Sequence, residues 1–163
     1  MNAPLATPLR FDLQGLVDAI ATAPADDSLN NPLTAAQWDA LAGYLQPCTL
    51  AQGQVLFAQG TQDRTMYFVE NGSLSVHMED AKGRLRLALV GPGSIVGEGA
   101  FFSHQPRSAT VQAAAACKLW GITPLRFAEL SNRQPAVALG LAMGAGAVLA
   151  KRLGNRRRRV AAT

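Results

Sequence analysis

The chain has 163 residues, 48% of them hydrophobic and 16% charged, which excludes collagen-like and wholly disordered classes and suffices for one domain whose core needs no covalent staples. Its formal charge of +4 comes from 15 basic against 11 acidic residues, yet Lys151, Arg152 and Arg156–Arg159 put six of the basic residues in 151–163. Residues 1–150 then carry nine basic against eleven acidic residues, so the basicity is that of a tail and does not mark the body as a nucleic-acid binder.

From Met1 to about Asn31 the chain is rich in Ala, Pro and Asn, with one weak apolar periodicity at Leu13, Leu16, Val17 and Ile20. This predicts a loose arm, residues 1–33, carrying one short helix and no functional signal. Thr34 followed by Gln37 is a capping-box signature, and Ala35, Trp38, Leu41, Ala42 and Leu45 share one face of the helix it opens, which should end near Pro47. Between Cys48 and Ile122 the pattern changes to short strands at 55–57, 66–69, 73–76, 85–90, 109–113 and 117–122, separated by Gly53, Gly60, Gly72, Gly83, Gly91 and Gly93. Turns at this spacing, without helices between most strands, predict an antiparallel sandwich or jelly roll. Cys48 and Cys117 stand far apart with no Cys-x-x-Cys pattern and no signal-peptide-like start ahead of them, so a disulfide framework is not expected and a reducing cytoplasm is.

After Ile122 the chain turns helical: Thr123 is a candidate N-cap with Pro124 at the first helical position, and Pro135 opens a second helix. Gln134–Ala150 is uncharged and contains Gly140, Gly144 and Gly146. Seventeen residues rich in alanine and glycine lie at the short edge of the ~17–25 that a membrane span requires, so packing is the expectation and a transmembrane segment is not. Gly140 and Gly144 form a small-xxx-small pair that would let two helices cross closely, beside a stripe of Val137, Leu141 and Val148. A helix apolar on all sides should be covered on all sides, by the β unit and by a second copy of the chain.

The chemistry is concentrated in Gly91–Ala113, GPGSIVGEGAFFSHQPRSATVQA. A glycine-rich approach leads to Glu98 and a short helix-compatible run, Gly99–Phe102, and then a proline turn and Arg107-Ser108 enter a strand. Amides at a helix start bind phosphate, and an arginine returned to them supplies a planar, charged fork. A carboxylate alongside can accept a hydrogen bond from a sugar hydroxyl, so the combination fits a nucleotide. A structural Glu98–Arg107 ion pair is the plain alternative. Gly91, Gly93 and Gly97 have the wrong spacing for a dinucleotide fingerprint, and His77 and His104 are unclustered, so no metal is expected.

This stretch resembles the phosphate-binding cassette of the cyclic nucleotide-binding domain family, shared by catabolite-activator-type regulators, protein kinase A regulatory subunits and cyclic-nucleotide-gated channels. GQVLFAQG at 53–60 and MYFVENGSL at 66–74 are similar to the family's turn-and-strand pattern, and the likeness covers about residues 34–152. It implies a mainly β jelly roll (a double-stranded β-helix) with N-terminal helices and a long C-terminal helix: a binding domain at 34–153 followed by a basic tail at 154–163. It also implies a ligand, cAMP or possibly cGMP, and neither a cofactor nor catalysis. Glu98 would bind the ribose 2′-hydroxyl, Arg107 the cyclic phosphate, and Gly97, Gly99, Ala100, Ser108 and Ala109 would surround it, with Val76, Leu87 and Val90 under the base. Gly99 departs from the larger aliphatic residue common in the family, and the final helix offers apolar residues where the catabolite-activator branch offers polar ones. The implied action is a sensor that dimerises through residues 135–153, with Phe101, Phe102 and Leu125–Phe127 coupling the cassette to that helix. No helix-turn-helix follows, so sequence-specific DNA reading by this chain is not expected. Two alternatives keep the fold, namely a ligand-free dimerising or docking module and a regulator lacking its DNA-binding half. A metal-dependent jelly-roll enzyme would need a histidine cluster that His77 and His104 do not provide.

Overall fold

In the computed structural model, residues 11–24 and 26–161 are described, and the first ten residues of the arm lie outside them. Helix α1 (Gln14–Thr22) is followed by α2 (Ala35–Leu41), which runs into one 3-10 turn at Ala42–Tyr44. The capping box is formed: Thr34 Oγ1 accepts from the Gln37 amide at 3.2 Å and Gln37 Oε1 from the Thr34 amide at 3.0 Å. Eight strands follow, β1 (Gln46–Leu50), β2 (Val55–Phe57), β3 (Met66–Asn71), β4 (Leu74–Glu79), β5 (Leu85–Val90), β6 (Ile95–Val96), β7 (Thr110–Ala113) and β8 (Cys117–Ile122), with α3 (Glu98–Ser103) between β6 and β7. Helices α4 (Pro124–Arg133) and α5 (Pro135–Ala161) close the chain. Thr123 caps α4 as expected, and α5 runs past Leu153, where a separate tail was expected to begin.

The strands form two antiparallel four-stranded sheets, ordered β1-β8-β3-β6 and β2-β7-β4-β5, as a jelly roll requires. Both faces of the first sheet are covered. Met66, Phe68, Trp120 and Ile122 face the helices, while Val69, Cys117 and Leu119 face the second sheet. A strand buried on both faces reads as a continuous apolar run rather than an alternating one, which is the character of Met66–Val69 and Leu119–Ile122. β1 replaces the expected end of α2: Pro47 lies in an edge strand, where a missing amide costs no ladder bond.

From Phe11 onward the arm is not loose. Leu13, Leu16, Ile20, Leu29 and Leu33 are buried in the helical core. Phe11 meets the Trp120 ring edge-on at 5.6 Å, and the Trp38 indole donates to Asn31 Oδ1 at 2.8 Å. The glycines of α5 serve this arm: a β-carbon at Gly140 would lie 2.8 Å from Leu33 Cδ2, and one at Gly144 3.0–3.1 Å from Pro32 and Leu29. The small-xxx-small pair thus receives a non-helical segment of the same chain, because the side chains of Leu29, Pro32 and Leu33 and the Pro32 carbonyl occupy the notch. Length and composition would allow Pro135–Asn155 to cross a membrane. Its stripe of Val137, Ala138, Leu141, Ala145 and Val148 is nevertheless buried in the protein core, as in a packed helix. The opposite side is bare: Leu139 and Met143 are 64% and 68% exposed.

Candidate functional site

A cleft of about 1110 Å³ lies between the inner face of β4 and β5, the cassette from Val96 to Ala109, and residues 149–155 of α5. Gly97 is the pivot of the cassette. Its φ of +79° is one L side chains rarely adopt, and a β-carbon there would come 2.5 Å from Arg107 Nη1 and 2.6 Å from the Thr65 carbonyl. The bare backbone lets the Arg107 guanidinium lie against it, and α3 starts at the next residue. Gly99, in the first turn, has nothing within 4 Å of a β-carbon position and faces open space. Amides in that first turn have no intrahelical acceptor, which is the general condition for holding an anion.

Arg107 is 3% exposed and its guanidinium is almost fully engaged. Nη1 donates to the Gly97 carbonyl at 3.0 Å, and Nη2 donates to the Thr65 carbonyl at 2.6 Å and to Asp63 Oδ2 at 2.8 Å. The Phe57 ring lies 3.8 Å from the guanidinium carbon. Among the described residues, Arg107 Nε is the buried side-chain nitrogen without a hydrogen-bond partner. Leaving a buried charged donor unpaired is costly, so a cation built into the cleft wall with its Nε–H unpartnered is suited to an anion. Burial would raise the Asp63 carboxyl, but its hydrogen bonds from Arg107 and Thr65 outweigh that and hold it below the ordinary carboxylate range.

Glu98 and Arg107 do not pair with each other. Glu98 Oε1 accepts from Arg152 Nη1 at 2.7 Å, so a basic residue of the C-terminal helix reaches into the cleft. Arg152 also donates to Asp27 Oδ2, Ser94 Oγ and the Ile95 carbonyl. Burial disfavours its charge, yet Glu98 and Asp27 prevail and raise its pKa above the arginine value. Ser108 and Ala109 line the cleft beside Arg107, and Ala100 and Val96 line it beside Glu98. Val76 and Val90 stand on the inner face of β4 and β5. The register set by Leu74↔Val90 places Ala88 opposite Val76 and puts Leu87 beside His77 on the other face. Leu87 borders the cleft but is 63% exposed, so Ala88 takes the place by Val76 that was expected of it. Of the coupling candidates, Phe101 packs edge-on against Phe102 and Phe127 at 5.2 and 5.3 Å, whereas Leu125 is exposed.

Asp27, Asp63 and Arg152 were not singled out from sequence as site residues. No short motif holds them; each meets its partner across 44 to 125 residues of chain. No group of three or more potential metal-ligating side chains is found among the described residues.

Residues 47–134 match the model of the cyclic nucleotide-binding domain family. The chain is 30% identical over 121 residues to a cAMP-dependent protein kinase regulatory subunit of Eremothecium gossypii, covering 74% of this chain and 25% of that protein. It is 33% identical over 116 residues to the cyclic AMP receptor protein of Thermus thermophilus, covering 71% of this chain and 52% of that protein. It thus spans a quarter to about half the length of these relatives. Its fold matches a crystal structure of a cyclic nucleotide-binding domain from Methylobacillus flagellatus with a TM-score of 0.75 at 19% identity, over 78% of this chain and 72% of the other.

Proposed function

Given that this chain belongs to the cyclic nucleotide-binding domain family, a family of regulatory binding domains, we propose that it is a sensor whose cleft takes a cyclic nucleotide, cAMP before cGMP. Arg107 and the surrounding backbone of Gly97, Gly99, Ala100, Ser108 and Ala109 hold the cyclic phosphate, and Glu98 accepts the ribose 2′-hydroxyl. Val76, Ala88 and Val90 lie under the base. The observation that carries this reading is the buried Arg107 with its Nε–H unpartnered in the wall of a cleft large enough for a nucleotide. The names of the two relatives favour cAMP.

The output is the position of α5. Arg152 ties that helix directly to Glu98, so a ribose hydroxyl arriving at Glu98 alters how the helix end is held, and Phe101 against Phe127 gives α3 a second contact with the helical layer. Two arrangements with different ligand affinity are then biased by occupancy. The exposed side of α5 carries Leu139, Met143, Gly146, Ala150 and Leu153, spaced alternately by four and three residues, the seam spacing of a two-helix coiled coil. A second copy of the chain is its proposed occupant.

Calorimetric titration of the wild type and Arg107→Ala with cAMP and cGMP tests the reading. Saturable binding by the wild type, tighter for cAMP, and its loss in Arg107→Ala are expected. The ligand-free docking module is favoured by one observation, that Glu98 and Arg107 already have partners within the chain. Absence of wild-type binding up to millimolar nucleotide would establish it in place of the sensor.

A further inference from the structure

Arg152 is the point where three parts of the chain meet. It gives Nε to Asp27 Oδ2 of the arm at 2.9 Å, Nη2 to Ser94 Oγ and the Ile95 carbonyl, both at 2.9 Å, and Nη1 to Glu98 Oε1 at 2.7 Å. An arginine beside a carboxylate ordinarily closes on it as a two-point fork. Here the contact is single: two edges of the guanidinium are taken by others, and among the described residues none donates to Glu98 Oε2. The arm is itself fixed to the same place, because the Asp27 carbonyl accepts from Ser94 Oγ at 3.1 Å and the Leu29 amide donates to the Gly93 carbonyl at 2.8 Å.

We propose that Asp27 is a positioning residue for ligand binding: by holding Arg152 Nε it fixes the plane of the guanidinium so that Nη2 stays on Ser94 and the Ile95 carbonyl, only Nη1 meets Glu98, and Oε2 is left as the acceptor for the sugar hydroxyl. The inference rests on the cyclic-nucleotide reading above and adds a residue that lies outside the cassette, 71 positions before Glu98. Asp27 is the carboxylate competing with Glu98 for Arg152, and its side chain is 30% exposed, so it can be replaced without emptying the core. Without it, the guanidinium is free to turn, Nη2 leaves Ser94 and the Ile95 carbonyl for Glu98, and the two-point fork consumes the acceptor that distinguishes ribose from deoxyribose.

The test titrates cAMP and 2′-deoxy-cAMP into the wild type, Asp27→Ala and Asp27→Glu, alongside a crystal structure of ligand-free Asp27→Ala. In Asp27→Ala, cAMP affinity is expected to fall about tenfold or more, the scale of one hydrogen bond to a charged group, while 2′-deoxy-cAMP affinity stays near the wild-type value. Asp27→Glu restores the preference for the ribose form. An equal loss for both nucleotides, which a structural role would give, overturns the inference, as does unchanged discrimination. The ligand-free structure decides separately from the titration: Arg152 forked on Glu98 supports the role of Asp27, and Arg152 unmoved defeats it. A wild type that binds neither nucleotide defeats the sensor reading itself.

Discussion

Two glycines two positions apart behave oppositely, because one is held by its surroundings and the other faces space. Gly97→Ala forces a side chain into a left-handed backbone and onto Arg107, and is expected to cost about 1–3 kcal/mol and to abolish nucleotide binding. Gly99→Ala adds a methyl group to open space in a helical turn and is expected to stabilise by up to about 1 kcal/mol. Thermal unfolding and calorimetry of the two variants check both statements. At this scale, Glu98 and Arg107 were legible because a short stretch of sequence carries the turn, the helix start and the returning strand together. Their partners Asp63 and Arg152, and Asp27 behind them, were not. Each is an ordinary surface-type charge in sequence, and only the closing of the two sheets and the return of α5 bring it to the cleft.

Among the elements, strands with clear apolar runs were legible and the two edge strands of the first sheet were not. β6 has two residues, and β1 contains a proline that argues against a strand unless the edge position is known. In β5, leucines at 85, 87 and 89 give the strongest apolar signal, yet they face outward and Ala88 and Val90 face in, since alternation fixes a period but not a phase. The glycines of α5 pose the same ambiguity: a small-xxx-small notch records that something approaches closely, not what. Because Pro32 and Leu29 fill it here, Gly144→Val is expected to lift the 29–33 segment, lower stability by about 1–3 kcal/mol and open the arm to protease, as read by chemical denaturation and limited proteolysis.

For the molecule as a whole, jelly roll and flanking helices were legible from the turn spacing and the cassette, whereas the arm's place in the core was not, because its periodicity is weak and its burial comes from α5 and the first sheet. The proposed assembly rests on the bare side of α5. Met143→Glu places a charge within the proposed seam, and sedimentation is expected to show a dimer for the wild type and a monomer for the variant, with stability of the monomer fold changed by less than about 0.5 kcal/mol since Met143 is exposed. A variant that still sediments as a dimer would place the interface elsewhere.

The docked arm also gives the protein an internal optical probe. Trp38 and Trp120 are its two tryptophans; one indole N–H is bound by Asn31, and the other ring is met by Phe11 and donates to Glu70 Oε1 at 3.0 Å. Both fluorophores therefore touch the same N-terminal segment, which at Asp27 also reaches the cleft. Intrinsic emission then follows that segment with no label attached: a red shift without loss of far-ultraviolet ellipticity would report its release from an otherwise folded barrel.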